Sequence, residues 1–310
     1  MKEINILSPA TVANVVCGFD CLGFALSAPY DEMTLRLIDE KIVRIKHFDN
    51  FNLPTEPERN VAGAALLSML GKIDETLGFE VEITKQIMPG SGIGSSSASA
   101  AGAVVGANKL LSEKFSLLEL VEFAMDGERV ASGARHADNV APAIFGGFTL
   151  VRSNNPLDVI PLKFPTLFVT VVHPQIEIKT SDAREILKQK IELKDAISQW
   201  GNVGALVAGL QTGDYALISR SLEDRIIEPV RSILIPKFAE IKAESLTSGA
   251  LGGGISGSGP SIFMLSQTLE TAQKVEKAMH GVYQNTKIDF NIYVSEINAE
   301  GVKVKAETRA

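Results

Sequence analysis

The sequence predicts an α/β protein, of the α+β kind, built as two domains, and three features of the chain carry that prediction. At 310 residues it exceeds what one hydrophobic core usually supports. Strand-like and helix-like stretches alternate along it, so sheets must be covered by helices. After Pro156 the composition resets into the dense β-branched run from Thr166 to Val172, which places a boundary near residue 160 and gives two units, 1–160 and 161–310.

In the first unit, Ile4 to Leu7 is a short strand, and the chain then runs irregularly through Asn14 to Gly23. Asn14 and Asp20 are small polar residues among apolar ones, so each closes an Asx-turn or meets a ligand. Met33 to Ile38 and Ile42 to Phe48 flank the turn-forming Asp39-Glu40-Lys41, which predicts a hairpin. Asn60 is placed to cap a buried helix running to about Leu70. Phe79 to Lys85 alternates apolar and polar residues as a half-buried strand does.

That strand leads into Pro89-Gly90-Ser91-Gly92-Ile93-Gly94-Ser95-Ser96-Ser97-Ala98-Ser99, after which an alanine-rich helix begins. Glycines let backbone approach a ligand closely, and a helix N-terminus offers free N–H groups and a positive dipole end to phosphate. Neither the Walker sequence nor the dinucleotide fingerprint is present, and by itself the loop is equally a flexible Gly/Ser turn. Ser116 then opens a helix to about Arg129. In it and in the loop that follows stand Glu128, His136, Asp138 and Asn139, of which the two acids suit an Mg²⁺ ion shared with a nucleotide.

In the second unit, Thr180 to Arg184 starts a helix, and further helices cover about 194–210 and 214–222. Arg184 and Arg231 are candidates to grip a carboxylate, though a lone arginine more often forms a surface ion pair. The glycines between Gly249 and Gly259 exceed the needs of one turn, so this backbone approaches either a ligand or the other glycine loop. A strand at Ile262 to Leu265, a helix over about 269–283 and a strand at Ile288 to Val294 complete the unit.

Composition narrows the function. The 45% hydrophobic and 22% charged content is that of a globular protein, and a net charge of -7 without a basic cluster argues against nucleic acid as a partner. No apolar run approaches membrane-spanning length and no secretory leader is visible, so a cytoplasmic protein is expected. Cys17 and Cys21 are too close to staple a domain and are expected as reduced thiols.

Three separated segments together resemble the GHMP kinases: Pro9 to Asn14 with Gly18 to Gly23, Pro89 to Ser99, and Gly252 to Ser261. Within that superfamily the likeness is greatest to the homoserine kinase family, through Pro9-Ala10-Thr11-Val12-Ala13-Asn14, His136-Ala137-Asp138-Asn139-Val140-Ala141-Pro142 and Gly254-Ile255-Ser256-Gly257-Ser258-Gly259-Pro260. The resemblance implies an N-terminal domain of the ribosomal protein S5 domain 2 type and a ferredoxin-like C-terminal domain. It implies ATP- and Mg²⁺-dependent phosphorylation of the side-chain hydroxyl of L-homoserine, a step of threonine biosynthesis; homodimers are common among relatives, though the sequence shows no interface for one. Carried over residue by residue, it makes Pro89 to Ser99 the phosphate loop with Asn60 near the adenine, and Ser96 and Glu128 the Mg²⁺ ligands. Asn14, Asp20, His136, Asp138, Arg184 and Arg231 would line the homoserine pocket, Asn139 would lie near the reacting hydroxyl, and Thr180 near the transferred phosphoryl group.

Where many members of the family have Gly-Pro before Gly-Phe-Asp, this chain has Val16-Cys17, so a thiol is expected beside the substrate pocket, modifiable only without ligand. Two other functions fit the same motifs: a GHMP kinase acting on a different small alcohol, and a nucleotide-binding regulator without turnover. Intact Ser96, Glu128 and Asn139 argue against the regulator.

Overall fold

Backbone pairing in the computed structural model, which describes residues 2–176, 178, 180–188 and 190–308, separates two sheets. The first is organised by β1 (Glu3–Ala13) and β2 (Leu22–Ile38), antiparallel with Ile4 opposite Leu35 and Ala13 opposite Gly23. β3 (Val43–His47) does not pair with β2. Instead β4 (Gly78–Thr84) is inserted between them, antiparallel to β2 and parallel to β3, so the expected hairpin is split. Gly78 lets β4 enter: a Cβ there would come within 2.1 Å of the Ile42 carbonyl oxygen, while Phe79 N donates to that same oxygen at 3.0 Å.

Helices α1 (Val61–Leu70), α2 (Ser95–Leu110) and α3 (Leu117–Ser132) cover this sheet, and the core between them joins Ile4, Ile6, Leu35, Val81 and Ile83 to Leu66, Met69, Val104 and Ala124. Their ends follow the sequence. Asn60 accepts from Gly63 N as the cap of α1, and Ser116 and Glu119 form a capping box on α3. A short α4 (Val140–Phe145) leads into β5 (Phe148–Asn154) and β6 (Leu157–Leu162); β5 pairs with Leu22–Phe24 of β2 and β6 with β5.

The second sheet holds β7 (Phe168–Pro174), β8 (Gly252–Ile255), β9 (Ile262–Ser266) and β10 (Phe290–Glu296), in the order β10-β7-β9-β8 and all antiparallel. Between β7 and β8 lie α5 (Thr180–Glu185), α6 (Leu193–Thr212), α7 (Tyr215–Ser221), α8 (Glu228–Arg231) and α9 (Phe238–Thr247); α10 (Leu269–Tyr283) joins β9 to β10. This βαββαβ order with the fourth strand beside the first is the ferredoxin-like arrangement. β11 (Lys303–Thr308) returns to the first sheet and pairs antiparallel with β1. We propose two folding units divided near residue 160, with β11 crossing back to complete the first.

A shared apolar cluster welds the two sheets. Phe24 of β2 meets Phe148 at 4.8 Å and Phe263 of β9 at 5.6 Å between ring centroids, and Cys17, Leu206 and Leu222 belong to the same cluster. Above that weld a cleft opens.

Candidate active site

The floor of the cleft begins with a buried charge. Lys85, at the end of β4, is fully enclosed and paired with Asp31 of β2; its Nζ also donates to Ser95 O at 2.7 Å and Ser99 Oγ at 3.0 Å. Asp31 Oδ1 accepts from Gln86 N and Ile87 N at 2.8 and 3.0 Å. The pair therefore ties the strand, the glycine loop and the first turn of α2 together. Neither residue was singled out from the sequence, yet a signal existed. Lys85 continues the odd-numbered apolar face of β4, and Asp31 that of Met33 and Leu35, so two opposite charges occupy core-facing positions.

Above this floor, Gly94 (φ 70°, ψ 32°) precedes α2 and offers no side-chain cap, so the first-turn N–H groups are left for another acceptor. Pro89, Gly90, Gly92, Gly94, Ser95, Ser96 and Ser99 line the cleft. Ser91, Ile93, Ser97 and Ala98 turn inward and are buried, Ile93 and Ala98 within the shared apolar cluster. The second glycine-rich segment meets this loop directly: Ser256 Oγ donates to Gly92 O at 2.7 Å, and Ser261 Oγ to Ser91 O at 2.6 Å. At Gly92, with φ +81°, a Cβ would stand 2.5 Å from the Gly259 carbonyl oxygen. Of the two partners the sequence allowed, the other glycine loop is the one observed.

Glu128 of α3 faces the start of α2. Burial pushes its carboxyl above the usual range, the nearby Ser96 and Ser97 hydroxyls pull it back, and neither Oε1 nor the Ser97 hydroxyl has a hydrogen-bond partner. Asn139 Oδ1 accepts from Thr11 Oγ1 at 2.8 Å, close against Gly94. Thr11 escaped the sequence reading as a site residue although it sits inside the first motif. Asn60, the α1 cap, lines the cleft beside His47, Leu53 and Pro54.

The remaining polar residues form one group. Asn14 accepts from Asp20 N at 3.0 Å and donates to Gly257 O at 2.7 Å. Arg184 Nη2 reaches both oxygens of Asp20, at 2.8 and 3.1 Å. Arg231 is buried; it donates to Ala183 O at 2.8 Å and Gly257 O at 3.3 Å, and burial followed by the neighbouring Arg184 charge brings it down to about 10. Both guanidinium groups lie over Phe19, at 5.7 and 5.0 Å from its ring centre. Asp138 is pushed up to about 7, by burial first and then by the Asp20 charge. His136 is held below its ordinary value by burial, and its Nε2 has no partner. Two cations and two acids thus share one cleft of about 560 Å³ with the glycine loop. Thr180 begins α5, but its side chain lies outside the described residues.

The first loop keeps its shape under strain, with Asn14, Val15, Val16 and Asp20 all at positive φ. Such backbone is costly for a valine; the apolar burial of Val15 and Val16, 0% and 4% exposed, offsets it. Cys17 corrects one expectation. It does not line the cleft, is 2% exposed, and its thiol is pushed up to about 12 by burial, so no reactive thiolate is present for a ligand to protect.

Comparison with known proteins places this arrangement. The model of the GHMP kinases N terminal domain matches residues 60–147, and that of the GHMP kinases C terminal matches 206–285. A homoserine kinase of Chloroherpeton thalassium is 45% identical over 98% of this chain and its own full length. Another, of Xanthomonas campestris, is 38% identical over 99% of this chain and 95% of its own. The crystal structure of homoserine kinase from Cytophaga hutchinsonii superimposes with a TM-score of 0.94 at 49% identity, covering 98% of both chains.

Proposed function

The chain belongs to the GHMP kinases, and within them to the homoserine kinases; from that premise we propose that it transfers the γ-phosphoryl group of ATP to the side-chain hydroxyl of L-homoserine. The observation that carries the reading to this chain is the convergence, in one cleft, of an uncapped helix N-terminus with a group that matches a zwitterion. Arg184 and Arg231 take the α-carboxylate, and Asp20 and Asp138 take the α-ammonium. Arg184 and Asp20 also pair with each other, so a bound amino acid would exchange one ion pair for two. Asn14 and His136 complete the substrate wall.

Pro89 to Ser99 would hold the phosphates of ATP, and Asn60 would sit beside its base. The unpartnered Oε1 of Glu128 and the Ser96 hydroxyl fit an Mg²⁺ ion, hard oxygen donors beside phosphate being what that ion takes. When bound, the ion neutralises charge on the phosphate oxygens. Asn139, oriented by Thr11, lies beside the substrate hydroxyl. Phosphoryl transfer rests on positioning and charge neutralisation more than on a strong base. Asp138 serves first as an ammonium ligand, and with its proton affinity near neutrality it is also suited to take the hydroxyl proton.

The test is ADP release from ATP and Mg²⁺ with L-homoserine, mevalonate, galactose and shikimate in parallel, with Glu128→Ala as control. Turnover with homoserine alone, lost in the variant, is expected. Turnover only with another alcohol would replace the substrate assignment, and ATP binding without any turnover would make the chain a regulator.

A further inference from the structure

The amide of Asn60 spends nearly all its hydrogen-bonding capacity inside the protein. A primary amide carries two N–H donors and two acceptor lone pairs on oxygen. Oδ1 accepts from Gly63 N at 3.1 Å, Nδ2 donates to Pro54 O at 2.7 Å, and the same Nδ2 lies 3.0 Å from His47 Nε2. For His47 to accept at Nε2 its proton must sit on Nδ1, which faces Asp49 Oδ2 at 3.2 Å. Asp49 is itself fixed: Phe51 N donates to Oδ1 at 3.1 Å and Lys85 N to Oδ2 at 3.4 Å. The His47 and Asp49 side chains are 8% and 5% exposed, so both bonds are largely shielded from solvent. After this accounting Asn60 has no N–H left to give, and one lone pair of Oδ1 remains.

We infer that His47, oriented by Asp49, is a specificity-determining positioning residue for the nucleotide base: by consuming the second N–H of Asn60 it leaves that amide able only to accept. Such a site prefers a purine carrying an exocyclic amino group at C6 and disfavours one carrying a carbonyl oxygen there. Leu53, Pro54 and Val61, along the same stretch of the cleft, supply the apolar surface that a flat ring needs. The inference rests on the placement of Asn60 beside the base proposed above.

The experiment compares kcat/KM for ATP and ITP, which differ at this edge, in the wild type, His47→Leu and His47→Gln. In His47→Leu one Asn60 N–H is released toward the base, and the preference for ATP falls about tenfold, through KM rather than kcat. In His47→Gln the side-chain oxygen restores the acceptor, and the preference stays within about twofold of wild type. A role confined to stability moves both nucleotides alike, so an unchanged ratio in a folded His47→Leu overturns the inference. A measurement on the wild type stands independently of folding: the 6-amino nucleotide should outrank the 6-unsubstituted purine nucleotide, which should outrank the 6-oxo one. A 6-oxo nucleotide equal to or better than the unsubstituted one also overturns it. Asn60→Ser keeps a capping oxygen and separates the two levels of failure. Should its KM for ATP match wild type, the placement of Asn60 itself falls, and the inference with it. Should that KM rise while the His47→Leu ratio holds, only the inference falls.

Discussion

Asp138 carries the clearest consequence of a buried charge. Its carboxyl is raised to about 7 because burial penalises the ionised form and Asp20 repels it. A substrate ammonium favours the ionised form, so homoserine binding expels a proton below that value. KM for homoserine is therefore expected to fall as pH rises from about 6 to about 8, and that slope should vanish in Asp138→Asn. Stability runs the other way. The folded state binds the Asp138 proton over a range in which the unfolded chain has already released it, so this residue costs stability progressively as pH rises from about 4 to about 7. Urea denaturation across that range should show Asp138→Asn lacking this part of the decline. Arg184 gives a second test at the same scale. Losing one bidentate, charge-assisted contact should raise KM for homoserine about 10- to 100-fold in Arg184→Ala, while KM for ATP holds within about twofold.

Among the elements, the strand-loop-helix unit from β4 through α2 is the most constrained. Lys85→Met would leave Asp31 buried without its cation and is expected to cost about 3–5 kcal/mol, read from the urea midpoint. Gly92→Ala should impair ATP use as well as stability, because its Cβ has no room before Gly259 and the left-handed backbone disfavours it. Helix ends were legible in the sequence, since caps are local: Asn60 and Ser116 stand where their chemistry requires. Strand partners were less so. The run after Lys41 was readable as a strand, but its neighbour was not, because both β2 and β4 carry compatible alternating faces and the choice between them depends on Gly78 approaching the Ile42 carbonyl.

At the scale of the molecule, the two sheets share the Phe24, Phe148 and Phe263 contacts, and the ligand cleft lies between the loops each contributes. β11 pairs along the outer edge of β1. Truncation after Val302 exposes that strand edge and is expected to lower the urea midpoint and raise the tendency to associate. No helix of the described residues is long and apolar enough to cross a membrane.

The sequence by itself determined the pieces whose causes lie within a few residues: the glycine loop and its helix, the caps, the three motifs and hence the family. Tertiary structure decided what those pieces face. Local pattern made Arg184 and Asp20 separate candidates, and only folding put them 2.8 Å apart across 164 positions of chain. The same holds for the Asn139 amide turned to Thr11, for the second glycine loop seated on the first, and for the His47 nitrogen that consumes an N–H of Asn60. Hydrogen-bond partners and desolvation depend on which distant segments exclude water around a group, and that is set when the sheets pack rather than when the strands and helices are written.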